Sequence, residues 1–106
     1  MSKFTLADLE QRIVDRATAS ADVSYTRKLL DRGAVQCAKK FGEEAVEAIL
    51  AVATEDREHV IGESADVLYH LLVMLAQCDA TLEQVEQVLA QRFGISGLDE
   101  KESRGQ

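Results

Sequence analysis

Five acids in two short runs supply the chemistry that this sequence could do. Glu43, Glu44 and Glu47 lie in KKFGEEAVEAIL, and Glu63 and Asp66 in ESAD, which begins after a gap of fifteen residues. Carboxylate oxygens are hard donors that suit Mg²⁺ or Mn²⁺. A divalent cation held by such acids neutralises phosphate charge and makes a water nucleophilic. Glu44 and Glu47 are three apart, as are Glu63 and Asp66. On a helix each pair therefore projects from neighbouring turns on one side. Lys39 and Lys40 precede the first run, and His70 follows Asp66 by one turn.

Helices must position these groups. The chain has 106 residues, 46% of them hydrophobic, with no proline and only six glycines, which suits one all-α domain. Leu6, Leu9, Ile13, Val14 and Ala17 fall at helical spacing and predict a first helix over about Leu6–Ala19, with Thr5 as its N-cap. SADVS is a connector. SYTRKLLDRG is a short helix, capped by Ser24 and stopped near Gly33. Long helices follow over Ala34–Thr54 and Arg57–Gln77. The last one starts at Thr81, where TLEQ makes a capping box with Gln84, and ends at Gly94. Residues 1–94 form the predicted domain, and the polar tail ISGLDEKESRGQ, 95–106, is expected to be flexible alone. Gly42 inside a helix costs about 1 kcal/mol against Ala, so a close approach of backbone or ligand is expected there.

A helical projection sharpens the pattern. Glu63, Asp66, His70, Gln77 and His59 fall within about 60° of one another at 100° per residue, and apolar residues spread over nearly all the rest of that helix. Lys40, Glu43, Glu44 and Glu47 share a sector of about 100° on the preceding helix. An ordinary surface helix has the opposite pattern, an apolar stripe and a wide polar face. One small bundle cannot surround two such helices, so a homodimer or higher homo-oligomer is expected. The acid strips suit two readings. They are solvated edges, with Lys40 pairing Glu44, or they face each other across a hairpin around cations. The second is favoured because the strips are narrow, occur on both helices and hold almost no lysine.

The formal net charge of −7 argues against nucleic acid as a partner, since no basic patch could draw it in. The apolar run Val67–Ala76 is broken by His70 and too short for a membrane, and no signal core follows the N-terminus. The expectation is a soluble cytoplasmic protein. Cys37 and Cys78 lack metal-ligand spacing and read as buried free thiols in apolar helices.

EEAVE and ESAD match the EExxE…ExxD pattern of the all-α MazG-like nucleoside triphosphate pyrophosphohydrolases. SYTRKLL, KKFGEEAVEAILA, ESADVLYHLLVML and GISGLDEKESR, together covering roughly Phe4–Arg104, resemble the narrower phosphoribosyl-ATP pyrophosphatase family. That resemblance implies Mg²⁺-dependent cleavage between the α and β phosphates of phosphoribosyl-ATP, giving phosphoribosyl-AMP and pyrophosphate in the second step of histidine biosynthesis. It implies Glu44, Glu47, Glu63 and Asp66 as metal ligands. Glu43 matches the first glutamate and binds a further metal or serves the attacking water, so Glu43, Glu44 and Glu47 form the implied catalytic group. Many relatives fuse this domain to a cyclohydrolase whose metal motif is absent here, so a stand-alone enzyme is expected.

Substrate-binding candidates are Lys39, Lys40, Tyr25, Lys28 and His70. Each has an ordinary alternative: Lys40 as an intrahelical partner for the glutamates, His70 as a packed histidine, and the block Ser24, Tyr25, Arg27, Lys28 as cap and surface. Arg92, Lys101 and Arg104 could lend positive charge from the C-terminal end, the alternative being an inert tail. Two other functions compete: a house-cleaning pyrophosphatase for noncanonical nucleoside triphosphates, and a non-enzymatic helical interaction module. A di-iron bundle is disfavoured because Glu-x-x-His spacing is missing.

Overall fold

The computed structural model describes residues 3–20 and 24–94. They form α1 (Leu6–Arg16), α2 (Tyr25–Asp31), α3 (Ala34–Val52), α4 (Arg57–Gln77) and α5 (Leu82–Phe93), with no strand among them. The all-α reading with one short helix therefore holds. Residues 95–106, with Lys101 and Arg104, lie outside the described residues.

The caps fix where the helices begin. Thr5 accepts from Asp8 N, and Asp8 returns a bond to Thr5 N. Ser24 caps α2 by accepting from Arg27 N at 3.1 Å. Asp56 accepts from both Glu58 N and His59 N at the head of α4, and Thr81 and Gln84 form the reciprocal box of α5. Each cap satisfies amides that helix geometry leaves without partners. Glu10 on α1 also accepts from Leu82 N at 2.7 Å, which ties the first helix to the start of the last.

The ends depart slightly from the periodicity. α1 stops at Arg16 rather than near Ala19. The Arg27 guanidinium donates to the Ala17 and Ala19 carbonyls, so this stretch serves as a tether for α2 instead of another helical turn. α3 stops at Val52, two residues short of the expected Thr54. Gly33, at φ 90°, closes α2 through its N–H to the Leu30 carbonyl and stands as N-cap of α3. A side chain there would be strained.

α3 and α4 form a long antiparallel hairpin, and α1 and α2 pack across its open end. The buried core sits at that end: Ile13 from α1, Leu29 from α2, Cys37 from α3, and Leu72 and Val73 from α4. Toward the turn of the hairpin little covers the helices. Ile49 is 68% exposed, Val52 64% and Leu50 59%, with Val46 and Ile61 about half exposed. The expected surplus of apolar surface on α3 and α4 is thus present. No backbone among the described residues makes the expected close approach to Gly42: a Cβ built on it meets nothing within 4 Å. Cys78, expected to be buried, is exposed at the C-cap of α4. α4 has 21 residues and contains an 18-residue stretch of mean hydropathy 1.2, enough by length and composition to cross a membrane, yet it carries Glu58, His59, Glu63 and Asp66 and packs on α3.

Candidate active site

The hairpin brings the two acidic runs together. In an antiparallel pair the residue facing Glu44 on α3 comes from the first half of α4, where Glu63 and Asp66 lie one turn apart. One carboxylate oxygen each from Glu44, Glu63 and Asp66 lies within 4.8 Å of the others. Glu44 and Glu63 are half-buried and Asp66 is exposed, so the group sits at the rim of the helix pair, open to solvent.

Cations balance this group only in part. Lys40 Nζ stands 3.3 Å from Glu44 Oε1 and 4.0 Å from Glu43 Oε1. Its hydrogen bond to Glu44 pushes the ammonium pKa up, so Lys40 stays charged. His59 Nε2 is 3.4 Å from Glu63 Oε1 and adds charge only when protonated. Asp66 has no ion pair among the described residues. Three carboxylates this close repel unless a cation lies between them, and their oxygens are the donors a hard divalent cation takes. The donor set therefore fits Mg²⁺ or Mn²⁺.

His70, buried one turn beyond Asp66, extends the site inward. Burial pushes its imidazole pKa down, and Lys40 acts in the same direction, against Glu44 and Asp66. The ring makes an edge contact with Tyr69, centroids 4.9 Å apart, and lies 6.4 Å from the Tyr25 ring. The Tyr69 hydroxyl in turn bonds the Thr26 hydroxyl.

Comparison with known proteins decides the family. The sequence pattern of the family described as Phosphoribosyl-ATP pyrophosphohydrolase matches residues 6–93. The phosphoribosyl-ATP pyrophosphatase of Nitrobacter winogradskyi is 54% identical over 104 residues, covering 98% of this chain and 90% of that protein. Phosphoribosyl-ATP pyrophosphatase 1 of Bradyrhizobium diazoefficiens is 55% identical, covering 98% of each chain. The protein of the same name from Rhodopseudomonas palustris is 54% identical, covering 98% of this chain and 97% of its own.

The chain belongs to the phosphoribosyl-ATP pyrophosphohydrolase family.

Within this family member, the other expected residues scatter more. Glu47 is exposed one turn beyond Glu44, nearer the hairpin turn, and stands outside the three-carboxylate group. Glu43 is exposed beside Lys40. Lys39 and Lys40 line a cleft of about 220 Å³ with Arg32, Gln36 and Glu43. Tyr25 is exposed on the His70 side, while Lys28 is exposed without a polar partner among the described residues. Arg27 is structural: it pairs with Asp31 at 2.8 Å and holds the end of α1. Arg92 is exposed in the last turn of α5. Sequence reasoning missed Tyr69 and Thr26. Tyr69 reads as one more apolar residue of α4, and only the fold shows its hydroxyl meeting α2.

Proposed function

We propose that this chain hydrolyses phosphoribosyl-ATP to phosphoribosyl-AMP and pyrophosphate, in the cytoplasm and as part of histidine biosynthesis. The observation that carries the reading is the convergence of Glu44, Glu63 and Asp66 within 4.8 Å at the rim of the hairpin. The names of relatives more than half identical over nearly the whole chain agree with it.

Glu44, Glu63 and Asp66 would hold Mg²⁺, or Mn²⁺ in its place, with Glu47 supplying a further carboxylate from the next turn of α3. The metal, when bound, supplies positive charge against the phosphates and lowers the pKa of a coordinated water. Lys40, kept charged by Glu44, offers an ammonium to the phosphate oxygens from the same rim. Lys39 and Arg32 widen that cationic margin along their shared cleft. Glu43, exposed and within reach of Lys40, accepts the proton of the attacking water. His70 packs beside Tyr25 and Tyr69 and sets the inner wall. A second copy of the chain covers the apolar residues left bare on α3 and α4, so the working unit is a homodimer or larger.

Pyrophosphate release decides the matter, measured with phosphoribosyl-ATP and with a panel of ordinary and damaged nucleoside triphosphates. The reading predicts release from phosphoribosyl-ATP that needs Mg²⁺ and stops with a chelator. Release only from a nucleoside triphosphate would make the chain a house-cleaning pyrophosphatase. No release from any substrate by folded, metal-loaded protein would leave a non-enzymatic helical module.

A further inference from the structure

A second cleft, of about 270 Å³, lies where α1 meets α2 and α4. Arg12 and Arg16 line it from α1, and Tyr25, Thr26 and Tyr69 from the other helices. The two arginines are one turn apart and exposed. Like charges at that spacing cost an isolated helix a few tenths of a kcal/mol, which the place of Arg16 in the last turn of α1 offsets.

Neither guanidinium has a carboxylate partner among the described residues. In a chain of net charge −7 two cations without carboxylate partners thus line one cleft, while Asp8 and Asp15 border Arg12 on a neighbouring cleft. Arg12 stands 5.6 Å over the Phe4 ring, a contact that orients a guanidinium without neutralising it. Arg16 faces the Tyr69 phenol: burial pushes that phenol's pKa up, while the Thr26 bond and the Arg16 charge oppose the change. Across the cleft the Tyr25 and Tyr69 rings lie near parallel, with centroids 6.5 Å apart. Both rings also make edge contacts with His70, and that imidazole feels the charges of Glu44, Asp66 and Lys40. The aromatic group is thus shared between the lining of the cleft and the neighbourhood of the acid group.

Paired guanidiniums select phosphate monoesters through charge-assisted, bidentate bonds, and flanking phenol and hydroxyl groups suit a sugar. Phosphoribosyl-ATP differs from an ordinary nucleoside triphosphate by one phosphoribosyl arm, whose phosphate is separate from the triphosphate. We propose that the Arg12–Arg16 cleft receives this phosphoribosyl arm, the two guanidiniums holding its phosphate while the triphosphate lies at Glu44, Glu63, Asp66 and Lys40. This rests on the reaction proposed above. It makes Arg12 and Arg16 the residues that separate this substrate from plain nucleoside triphosphates.

The test compares wild type with Arg12→Gln, Arg16→Gln and the double variant. KM for phosphoribosyl-ATP is expected to rise roughly tenfold to a hundredfold for each lost phosphate contact. By calorimetry, wild type should prefer phosphoribosyl-AMP to AMP, and the double variant should lose that preference by losing affinity for phosphoribosyl-AMP. A double variant with wild-type KM and an intact preference overturns the subsite. Failure of the reaction itself reads differently, as wild type that releases no pyrophosphate. Ribose 5-phosphate binding to wild type and not to the double variant would then still support the cleft, and equal binding to both would overturn it. Should a variant lose its helical signal, phenylglyoxal labelling of wild type settles the point: protection of Arg16 by ribose 5-phosphate supports the subsite, and unchanged labelling contradicts it.

Discussion

Glu44, Glu63 and Asp66 gain nothing for the fold by standing within 4.8 Å of one another. Lys40 offsets one of the three, through a pair exposed enough to be worth less than about 1 kcal/mol. On the proposed reading the cluster gives up stability for metal binding. Glu63→Gln removes one of the repelling charges, so without metal its melting temperature is expected to equal or slightly exceed that of wild type. Mg²⁺ in hundredfold excess over its dissociation constant stabilises a native site by about 2.7 kcal/mol. For a domain this size that is a rise of roughly ten degrees or more in wild type, and it should shrink sharply in Glu63→Gln. Scanning calorimetry with and without Mg²⁺ checks both. A lower melting temperature for the metal-free variant, with the Mg²⁺ response intact, would mean that Glu63 is structural.

The helices were legible because their signals are local. Thr5, Ser24, and Thr81 with Gln84 are read from a few adjacent residues, and each makes its expected cap. The end of α1 was not legible, because Arg27, from another helix, takes the carbonyls of Ala17 and Ala19 just beyond it. The acidic strips were visible as angles on two projections, but which acids converge depends on hairpin register. That register brings in Glu44, Glu63 and Asp66 and leaves Glu47 a turn away. The Arg12–Arg16 cleft was invisible for the same reason, since its walls come from three helices. The open end of the hairpin is held by few groups. Ile13 is 1% exposed and joins α1 to Leu29, Cys37, Leu72 and Val73. Ile13→Ala should cost about 2–5 kcal/mol, read as a lower urea midpoint at unchanged slope. A cost below about 1 kcal/mol would show that α1 is dispensable to the core.

Among the described residues, one end of the hairpin is buried and the other is apolar and exposed. Ile49, Leu50 and Val52, all more than half exposed, lie beyond the acid cluster toward the hairpin turn. These are the side chains that the proposed second copy would cover. Light scattering is expected to give at least twice the monomer mass, and Ile49→Asp should shift the species toward monomer. A monomer at micromolar concentration would contradict the proposed assembly. The central claim is narrower: carboxylates from α3 and α4 together make the metal-dependent site that breaks the substrate's phosphoanhydride. The rate of pyrophosphate release from phosphoribosyl-ATP by Asp66→Asn, at saturating Mg²⁺ and with helical content verified, tests it most directly. Loss of one such carboxylate is expected to lower the rate by a factor on the order of a hundred or more. A folded Asp66→Asn protein that releases pyrophosphate at the wild-type rate would contradict the account.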